Sequence, residues 1–255
     1  MERASVRHSA ARLLCAEIIK LPGTARQSLV PNQVIATSGS GEALHVIVER
    51  GALAVRVSNR AGVWSVLEVL GRGSCATVGY DEAGAGAERG AVAALLPTTV
   101  LVAPLNEYLR AVSSNLKLAS AAAAAKAWQH AALLRHLAIL RIRRPLRRVA
   151  GTLIYLADAL GEACPLAAGL QLQLTQESIA CIAHLSRQTV NRELRRLRDG
   201  GQVYAARGMV CCLRADELRA VANGRVELRR SLRPPSCKFL KPRAPLDCAP
   251  PHEAR

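Results

Sequence analysis

Hydrophobic residues along the first hundred positions fall in short stretches that alternate with small or polar ones. Residues 46–48, 53–57 and 63–70 are such stretches, Gly- or Asn-containing turns separate them, and 100–102 follows later. Several short strands at near-regular spacing are typical of a β-barrel or jelly roll. The pattern therefore predicts a β-rich domain over residues 1–105.

After residue 105 the apolar spacing becomes helical, and Ala, the best helix former, is dense. The 3-4 spacing of a coiled-coil seam relates Leu109, Val112, Leu116, Ala119 and Ala123, and again Leu133, Leu137 and Leu140. Continuing this register places Lys126 and His130 on the seam, so a shift of register is expected there. We predict one dimerisation helix over 106–141. The alternative is a single amphipathic helix packed on its own domain.

The remaining chain predicts a second, mostly helical domain over 142–223 and a tail. The segment 135–148 holds six Arg and no acid, and Pro145 within it marks a hinge or the start of the next helix. Residues 149–160 have an amphipathic pattern. Residues 224–255 hold eight basic residues, three acids and six Pro, which is typical of a disordered basic tail.

Two short predicted helices lie within residues 174–197. Thr175 is a good N-cap residue, and the helix after it has one apolar face, formed by Ile179, Ile182 and Ala183. A tight connection follows, and Ser186 caps a second helix whose inner face is Val190, Leu194 and Leu197. Two short helices joined in this way make a helix-turn-helix.

The outer face of the second helix is basic and amide-rich. It carries Arg187, Gln188, Asn191, Arg192, Arg195 and Arg196. Arg can bond guanine bidentately and Gln can bond adenine, whereas arginines further along a recognition helix suit phosphates. The alternative is an ordinary solvated basic face. The coincidence of two caps, a turn and base-reading residues favours DNA binding.

A predicted hairpin over 202–213 follows as a wing, with Arg207 at its tip, where it can reach phosphate or the minor groove. The formal charge of +16 also favours a nucleic-acid partner. The composition, 50% hydrophobic, excludes global disorder, and eight Cys in 255 residues are too sparse for a disulfide-stapled protein. No targeting or membrane segment is evident, so we expect a cytoplasmic protein with reduced thiols and no membrane partner.

The stretches 174–177 and 185–192 read LTQE and LSRQTVNR. Together with the order of β-rich domain, long helix and winged helix-turn-helix, they resemble the cyclic-AMP receptor protein / fumarate-nitrate regulator family of bacterial transcription factors. The resemblance implies an α+β fold with an N-terminal jelly-roll sensor domain resembling a cyclic-nucleotide-binding domain. It also implies a homodimeric, non-enzymatic regulator that binds double-stranded DNA and acts with RNA polymerase.

The resemblance assigns roles to matched positions. Arg187, Gln188 and Arg192 align with the base-reading positions, and Asn191 lies among them. Because Gln188 replaces the usual Glu, the half-site is expected to differ from the common one. The family's turn Gly is absent near His184. The expected backbone contacts are Thr175, Ser186, Thr189, Arg195, Arg196 and Arg207.

The sensor domain departs from the family's cyclic-nucleotide binders. Thr77 and Val78 stand where a Gly-Glu pair holds the ribose, and the hydroxyl that follows the phosphate-binding Arg is missing after Arg89. Unpaired buried polar groups cost about 1–3 kcal/mol each, so cyclic-AMP binding is not expected. Arg89 is the one candidate effector contact, and its alternative is a surface loop residue.

No other cofactor or metal is predicted. Cys15 is the lone cysteine near the N-terminus, which is too few for an iron–sulfur cluster, and Cys211 and Cys212 point to opposite faces of a strand. Haem ligation by His45 or Cys75 has no supporting motif. No catalytic motif occurs either. Two rival functions stay open: a redox or small-molecule sensor acting through protein contacts, and nonspecific nucleic-acid packaging by the tail.

Overall fold

The computed structural model describes residues 2–37, 43–58, 64–79, 89–164, 169–206 and 208–226. These residues divide into two compact units, and the boundary falls between Leu133 and Leu134. Within the described part of the chain, no helix is long and apolar enough to cross a membrane. Most of the predicted basic tail lies outside the described residues.

The N-terminal unit contains a helix, α1 (Glu2–Ile18), followed by strands. In chain order the strands are β1 (Ala25–Leu29), β2 (Val34–Thr37), β3 (Leu44–Arg50), β4 (Leu53–Ser58), β5 (Trp64–Leu70), β6 (Cys75–Val78), β7 (Arg89–Ala94) and β8 (Thr98–Pro104). They form two four-stranded antiparallel sheets with the orders β1-β8-β3-β6 and β2-β7-β4-β5. Over the described strands the two sheets are open, so the unit is a jelly-roll-like sandwich rather than a closed barrel.

Alternation along β3 divides its side chains between two cores, as the period of a strand requires. Val46 and Val48 face the opposite sheet and belong to a cluster that includes Leu53. Ile47 points the other way and packs with Leu14 of α1 and with residues of the later helices. One sheet is thus covered by apolar side chains on both of its faces.

The helix α1 is an addition to the β-rich domain predicted over residues 1–105, since the sequence pattern did not indicate it. Leu14 and Ile18 are buried, and they anchor α1 on the outer face of the sheet. Gly73 lies against this helix with a φ of +77°, and a Cβ atom there would collide with Ala11. Among the described side chains of α1 only Ala11, Leu14 and Ile18 are buried, so the apolar pattern of the segment is short.

The prediction of a single helix over 106–141 is wrong. The structure has two helices there, α2 (Leu105–Ser114) and α3 (Leu116–Leu140). The break is at Asn115, whose Oδ1 accepts hydrogen bonds from the backbone N–H groups of Lys117 and Leu118, each at 3.1 Å. Asn and Ser compete with helix hydrogen bonds in this way, and Ser113 and Ser114 precede the break. The chain therefore ends one helix and caps the next.

The C-terminal unit begins with the end of α3 and is mainly helical. Its further elements are α4 (Pro145–Leu160), β9 (Glu162–Ala163), β10 (Leu170–Leu172), α5 (Gln176–Ala183), α6 (Arg187–Asp199), β11 (Val203–Ala206), β12 (Met209–Cys212) and α7 (Ala215–Ala222). The strands form one antiparallel sheet, β11-β12-β10-β9. Pro145 is the first residue of α4, as one of the two sequence interpretations expected. The helix α4 packs against α5, α6 and α7, and its side chains Val149, Leu153 and Leu156 are fully buried.

Candidate DNA-binding site

The helix α5 forms as the sequence predicts. The Oγ1 atom of Thr175 accepts a hydrogen bond from the backbone N–H of Ser178 at 3.0 Å, so Thr175 is the N-cap. Ile179, Ile182 and Ala183 are fully buried. The cap fixes where the helix starts, and the apolar residues fix which face packs on the unit.

The turn after α5 depends on one left-handed residue. His184 has a φ of 50° and a ψ of 49°, and the N–H of Leu185 donates to the carbonyl of Ala180 at 3.0 Å. Glycine is the residue best suited to this conformation, and the family pattern has a glycine near this point. His is among the side chains that tolerate it better than most, so the turn forms without glycine.

The helix α6 starts at a second cap. Ser186 Oγ accepts from the backbone N–H of Thr189 at 3.2 Å. Val190, Leu194 and Leu197 are buried, which confirms the predicted inner face. The two capped helices and their turn make a helix-turn-helix.

The predicted base-reading side chains lie on the outer part of α6. Arg187, Gln188 and Arg192 are exposed, and Asn191 is half-buried. Arg187 lies 3.8 Å from a carboxylate oxygen of Glu177, and both side chains are well exposed. A pair this exposed is weak, so it does not prevent Arg187 from binding another acceptor.

The predicted backbone-contacting residues divide into two kinds. Arg195 and Arg196 are exposed on α6. Thr175, Ser186 and Thr189 use their hydroxyls locally, since Ser186 Oγ and Thr189 Oγ1 are 2.9 Å apart and Thr175 Oγ1 and Ser178 Oγ are 3.0 Å apart. Arg207 lies outside the described residues.

A loop of arginines lies beside the turn, and its place next to the site could not be predicted from the sequence. Arg148 connects the two, because its Nε donates to the carbonyl of Ile142 at 2.8 Å and its Nη1 donates to that of His184 at 3.4 Å. We call residues 141–144 the basic loop. Its arginines, 141, 143 and 144, are exposed and form no ion pair with any described residue. The signal that pointed to it was the acid-free Arg run.

Sequence reasoning also missed Glu193, an acid on a basic helix. Its carboxylate is 2% exposed, and it accepts hydrogen bonds from Arg192 Nε at 2.8 Å and Arg196 Nη1 at 2.9 Å. The signal for it was an acid next to the inner-face residue Leu194. The side chain therefore lies between the packed face of α6 and its predicted DNA-binding face.

The hairpin predicted after α6 is present as β11 and β12. Cys211 and Cys212 are both buried in β12, and burial raises the pKa of Cys212 to about 12. A thiol with so high a pKa is protonated at neutral pH and unreactive. Among the described residues, no group of three or more His, Cys, Asp or Glu side chains could hold a metal.

The N-terminal unit holds the positions that the family's cyclic-nucleotide binders use. Val78, which stands at the expected position of the ribose-binding Glu, is buried in the apolar cluster between the two sheets. Thr77 beside it is exposed. The side chain of Arg89 lies outside the described residues.

A buried histidine lies on the other face of the same sheet. His45 is 2% exposed, and its ring stacks on Tyr108 with the centroids 3.5 Å apart. Neither ring nitrogen has a hydrogen-bond partner among the described residues. Burial, together with the charge of Lys126, lowers the pKa of His45 to about 3, so the ring is neutral at physiological pH.

Comparison with known proteins also indicates a helix-turn-helix domain. Residues 147–221 match a family model described as a Crp-like helix-turn-helix domain. No curated protein matches the sequence. Three solved structures share the fold. FixK2 from Bradyrhizobium japonicum is 18% identical, with a TM-score of 0.63 over 78% of this chain and 96% of that one. A CRP-family regulator from Thermus thermophilus is 20% identical, with a TM-score of 0.61 over 80% of this chain and 100% of that one.

The third is a mutant of CooA from Carboxydothermus hydrogenoformans, 18% identical, with a TM-score of 0.61 over 78% of this chain and 88% of that one. The geometry and the family model define the class, a protein with a helix-turn-helix DNA-binding domain. The predicted resemblance is confirmed: residues 147–221 form a Crp-like domain, and the chain has the α+β fold of the CRP/FNR transcription regulators.

Proposed function

We propose that this protein is a homodimeric, sequence-specific transcriptional regulator of the cytoplasm whose DNA binding does not require cyclic AMP. The observation that carries the proposal is the exposed basic face of α6 on a helix-turn-helix with both N-caps formed. Two recognition helices of a dimer would enter successive major grooves about 34 Å apart, on a near-palindromic site. RNA polymerase is its proposed protein partner.

Base reading is assigned to the first turns of α6. Arg187 and Arg192 have donors for guanine O6 and N7, and Gln188 can bond adenine N6 and N7. Asn191, one turn after Arg187, can also bond adenine. These side chains decide which sequence is bound.

Positioning on the duplex is assigned to contacts with phosphate. Arg195 and Arg196 extend the basic face of α6, and the backbone contacts also include Thr175, Ser186, Thr189 and Arg207. The basic loop adds three further cations beside the same turn. These contacts supply affinity that falls with salt and carry no sequence information.

Dimerisation is assigned to a stripe of exposed residues along α3. At the 3-4 spacing of a coiled coil lie Leu116, Ser120, Ala123, Ala127, His130, Leu134 and Leu137, all of them exposed. We call this the α3 seam. Leu116 is 85% exposed, and an apolar side chain so open to solvent is well explained by a second copy that covers it.

Independence from cyclic AMP rests on Val78. A buried valine in an apolar cluster offers no carboxylate to the ribose hydroxyls. The polar groups of the nucleotide would be desolvated without a partner, at about 1–3 kcal/mol each.

The test is selection of bound sequences from a random duplex library at moderate salt, with and without cyclic AMP. We expect the same two-fold symmetric site in both selections. A site found only with cyclic AMP would show that the sensor domain binds nucleotide after all. Absence of any preferred sequence in both would overturn the proposal.

A further inference from the structure

The carboxylate of Glu193 occupies an unusual position for an acid on a DNA-binding helix. It is 2% exposed, next to the buried Leu194, yet two arginines of the basic face hydrogen-bond to it. The arginines flank it along α6 at one residue before and three residues after. An acid so close to DNA would repel phosphate if it were exposed, and here burial and two cations screen it.

Arg192 and Arg196 each use one N–H group to bond Glu193, and the other N–H groups of each guanidinium remain available. Arg192 gives only its Nε–H, so both terminal amino groups remain. Two parallel terminal N–H donors are what the O6 and N7 acceptors of guanine require. Arg196 gives one Nη1–H and keeps its Nε and Nη2 donors for a phosphate.

We propose that Glu193 is a positioning residue that sets the base specificity of α6, because it holds Arg192 end-on toward the major groove. It acts through the arginine and touches no base itself. Fixing the Nε restricts the rotamers of a long side chain before DNA arrives, so less conformational entropy is lost on binding. The proposal rests on the proposed function and names a specificity determinant for it.

Glu193→Leu removes the anchor without leaving an unpaired charge buried. Breaking a buried ion pair is destabilising when the remaining charge stays buried, but the side chains of Arg192 and Arg196 are 64% and 56% exposed and stay solvated. The variant should therefore fold as well as the wild type, while Arg192 loses its hydrogen-bond partner. Glu193→Gln keeps one acceptor oxygen and should have an intermediate effect.

The experiment measures binding of the full chain to the selected duplex and to each single base-pair variant of it. Arg192→Ala identifies the base pair that Arg192 reads, as the position where its discrimination is lost. For Glu193→Leu we expect discrimination at that base pair to fall about fivefold to tenfold, with Glu193→Gln between it and wild type. Gln188→Ala and Arg187→Ala identify the base pairs that those two residues read. At those base pairs Glu193→Leu should discriminate as well as the wild type does.

A second measurement tests the anchor without DNA. The side-chain Nε–H signal of Arg192, assigned by its absence in Arg192→Lys, should exchange slowly with solvent in the wild type and rapidly in Glu193→Leu.

Three outcomes would decide against the inference, and they are separable. If wild type has no preferred site, the proposed function is wrong and the role of Glu193 falls with it. If wild type has a site and Glu193→Leu keeps full discrimination at the Arg192 base pair, only the role of Glu193 is wrong. A uniform loss at every base pair with a lowered unfolding temperature would make Glu193 a merely structural residue.

Discussion

Gln188 is the residue at which α6, the proposed recognition helix, departs most clearly from the family pattern it resembles. A Gln side chain offers both a donor and an acceptor, which match adenine, whereas a Glu offers acceptors only and matches the N4 amino group of cytosine. The side chain is exposed on the first turn of α6, so replacing it leaves the packing of the helix intact.

We expect Gln188→Glu to change the preferred base at one position of each half-site from adenine to cytosine. The reversal corresponds to about 1–3 kcal/mol per half-site. Parallel selections from one random library, with wild type and variant, measure it. Gln188→Ala is the matched control, which should lose the preference without gaining a new one. An unchanged site in Gln188→Glu would remove Gln188 from the base readers.

His45 predicts an acid-sensitive N-terminal unit. Its pKa is about 3 when folded and about 6.5 when unfolded, so below pH 6.5 the unfolded chain binds a proton that the folded chain does not. Stability therefore falls as the pH drops from 6.5 towards 3. His45→Phe keeps an aromatic ring against Tyr108 and removes the titration.

Between pH 7.5 and pH 5 we expect wild type to lose about 2 kcal/mol more unfolding free energy than His45→Phe. Urea unfolding followed by tryptophan fluorescence measures this, since both tryptophans, Trp64 and Trp128, lie in the N-terminal unit. Equal losses in the two proteins would mean that His45 is protonated in the folded state.

The sequence predicted those residues of the site whose role is local. A cap depends on a residue and its next three neighbours, and an inner face depends on spacing, so Thr175, Ser186 and Val190 could all be assigned. Glu193 and His45 could not, because their roles follow from burial. From their residue types alone, Glu193 and His45 would be expected at the surface. The partners of His45, Tyr108 and Lys126, come from distant parts of the chain, and only the fold brings them together.

At the scale of the secondary-structure elements, the seam predicted from apolar spacing agrees with about half of the exposed positions along α3. The predicted seam and the exposed α3 seam share Leu116, Ala123, His130 and Leu137, whereas the positions between them differ by one residue. The shift replaces Lys126 by Ala127 and so removes a charged side chain from the seam. Lys126 instead donates to the carbonyl of Cys75 at 3.1 Å, within its own unit. That partner is 51 positions away in sequence and could not be predicted.

The basic loop gives a prediction about salt. Replacing Arg141, Arg143 and Arg144 by Gln should reduce the slope of log affinity against log salt by about 2 to 3, since each lost phosphate contact contributes about 0.9. The preferred sequence should not change. Affinity measured at several salt concentrations tests this.

The matched control removes the same charge elsewhere. Arg12, Arg50 and Arg72 are exposed in the N-terminal unit, and their triple replacement by Gln lowers the net charge equally. If both triple variants change the slope by the same amount, the basic loop contributes only through overall charge.

At the scale of the whole molecule, the proposed dimer depends on the α3 seam. Ala127→Glu places two like charges against each other in the seam, which costs several kcal/mol in a closely packed interface. We expect the dimer dissociation constant to rise at least about tenfold in sedimentation equilibrium, with weaker binding to the symmetric site. Ser113→Glu, an exposed position on α2, makes the same charge change as a control. Identical association of the two variants would exclude this seam.

Deleting residues 227–255 separates a regulator from a packaging protein. A sequence-specific regulator should keep its preferred site and lose mainly the salt-dependent part of its affinity, because the removed residues are rich in cations. Loss of nearly all binding, measured on the selected and on a scrambled duplex, would favour packaging by the tail.

The middle of the α3 seam consists of small side chains, Ser120, Ala123 and Ala127, and in the proposed dimer this would determine how DNA binding depends on protein concentration. Small residues bury little apolar area, so the free dimer gains little from this part of the seam. A symmetric DNA site holds two copies together and supplies the missing free energy, much as a linker raises effective concentration. Where most copies are monomers, occupancy of the site then rises with the square of the protein concentration. Doubling the supply would increase promoter occupancy about fourfold in the dilute limit, so a modest change in synthesis would act as a threshold.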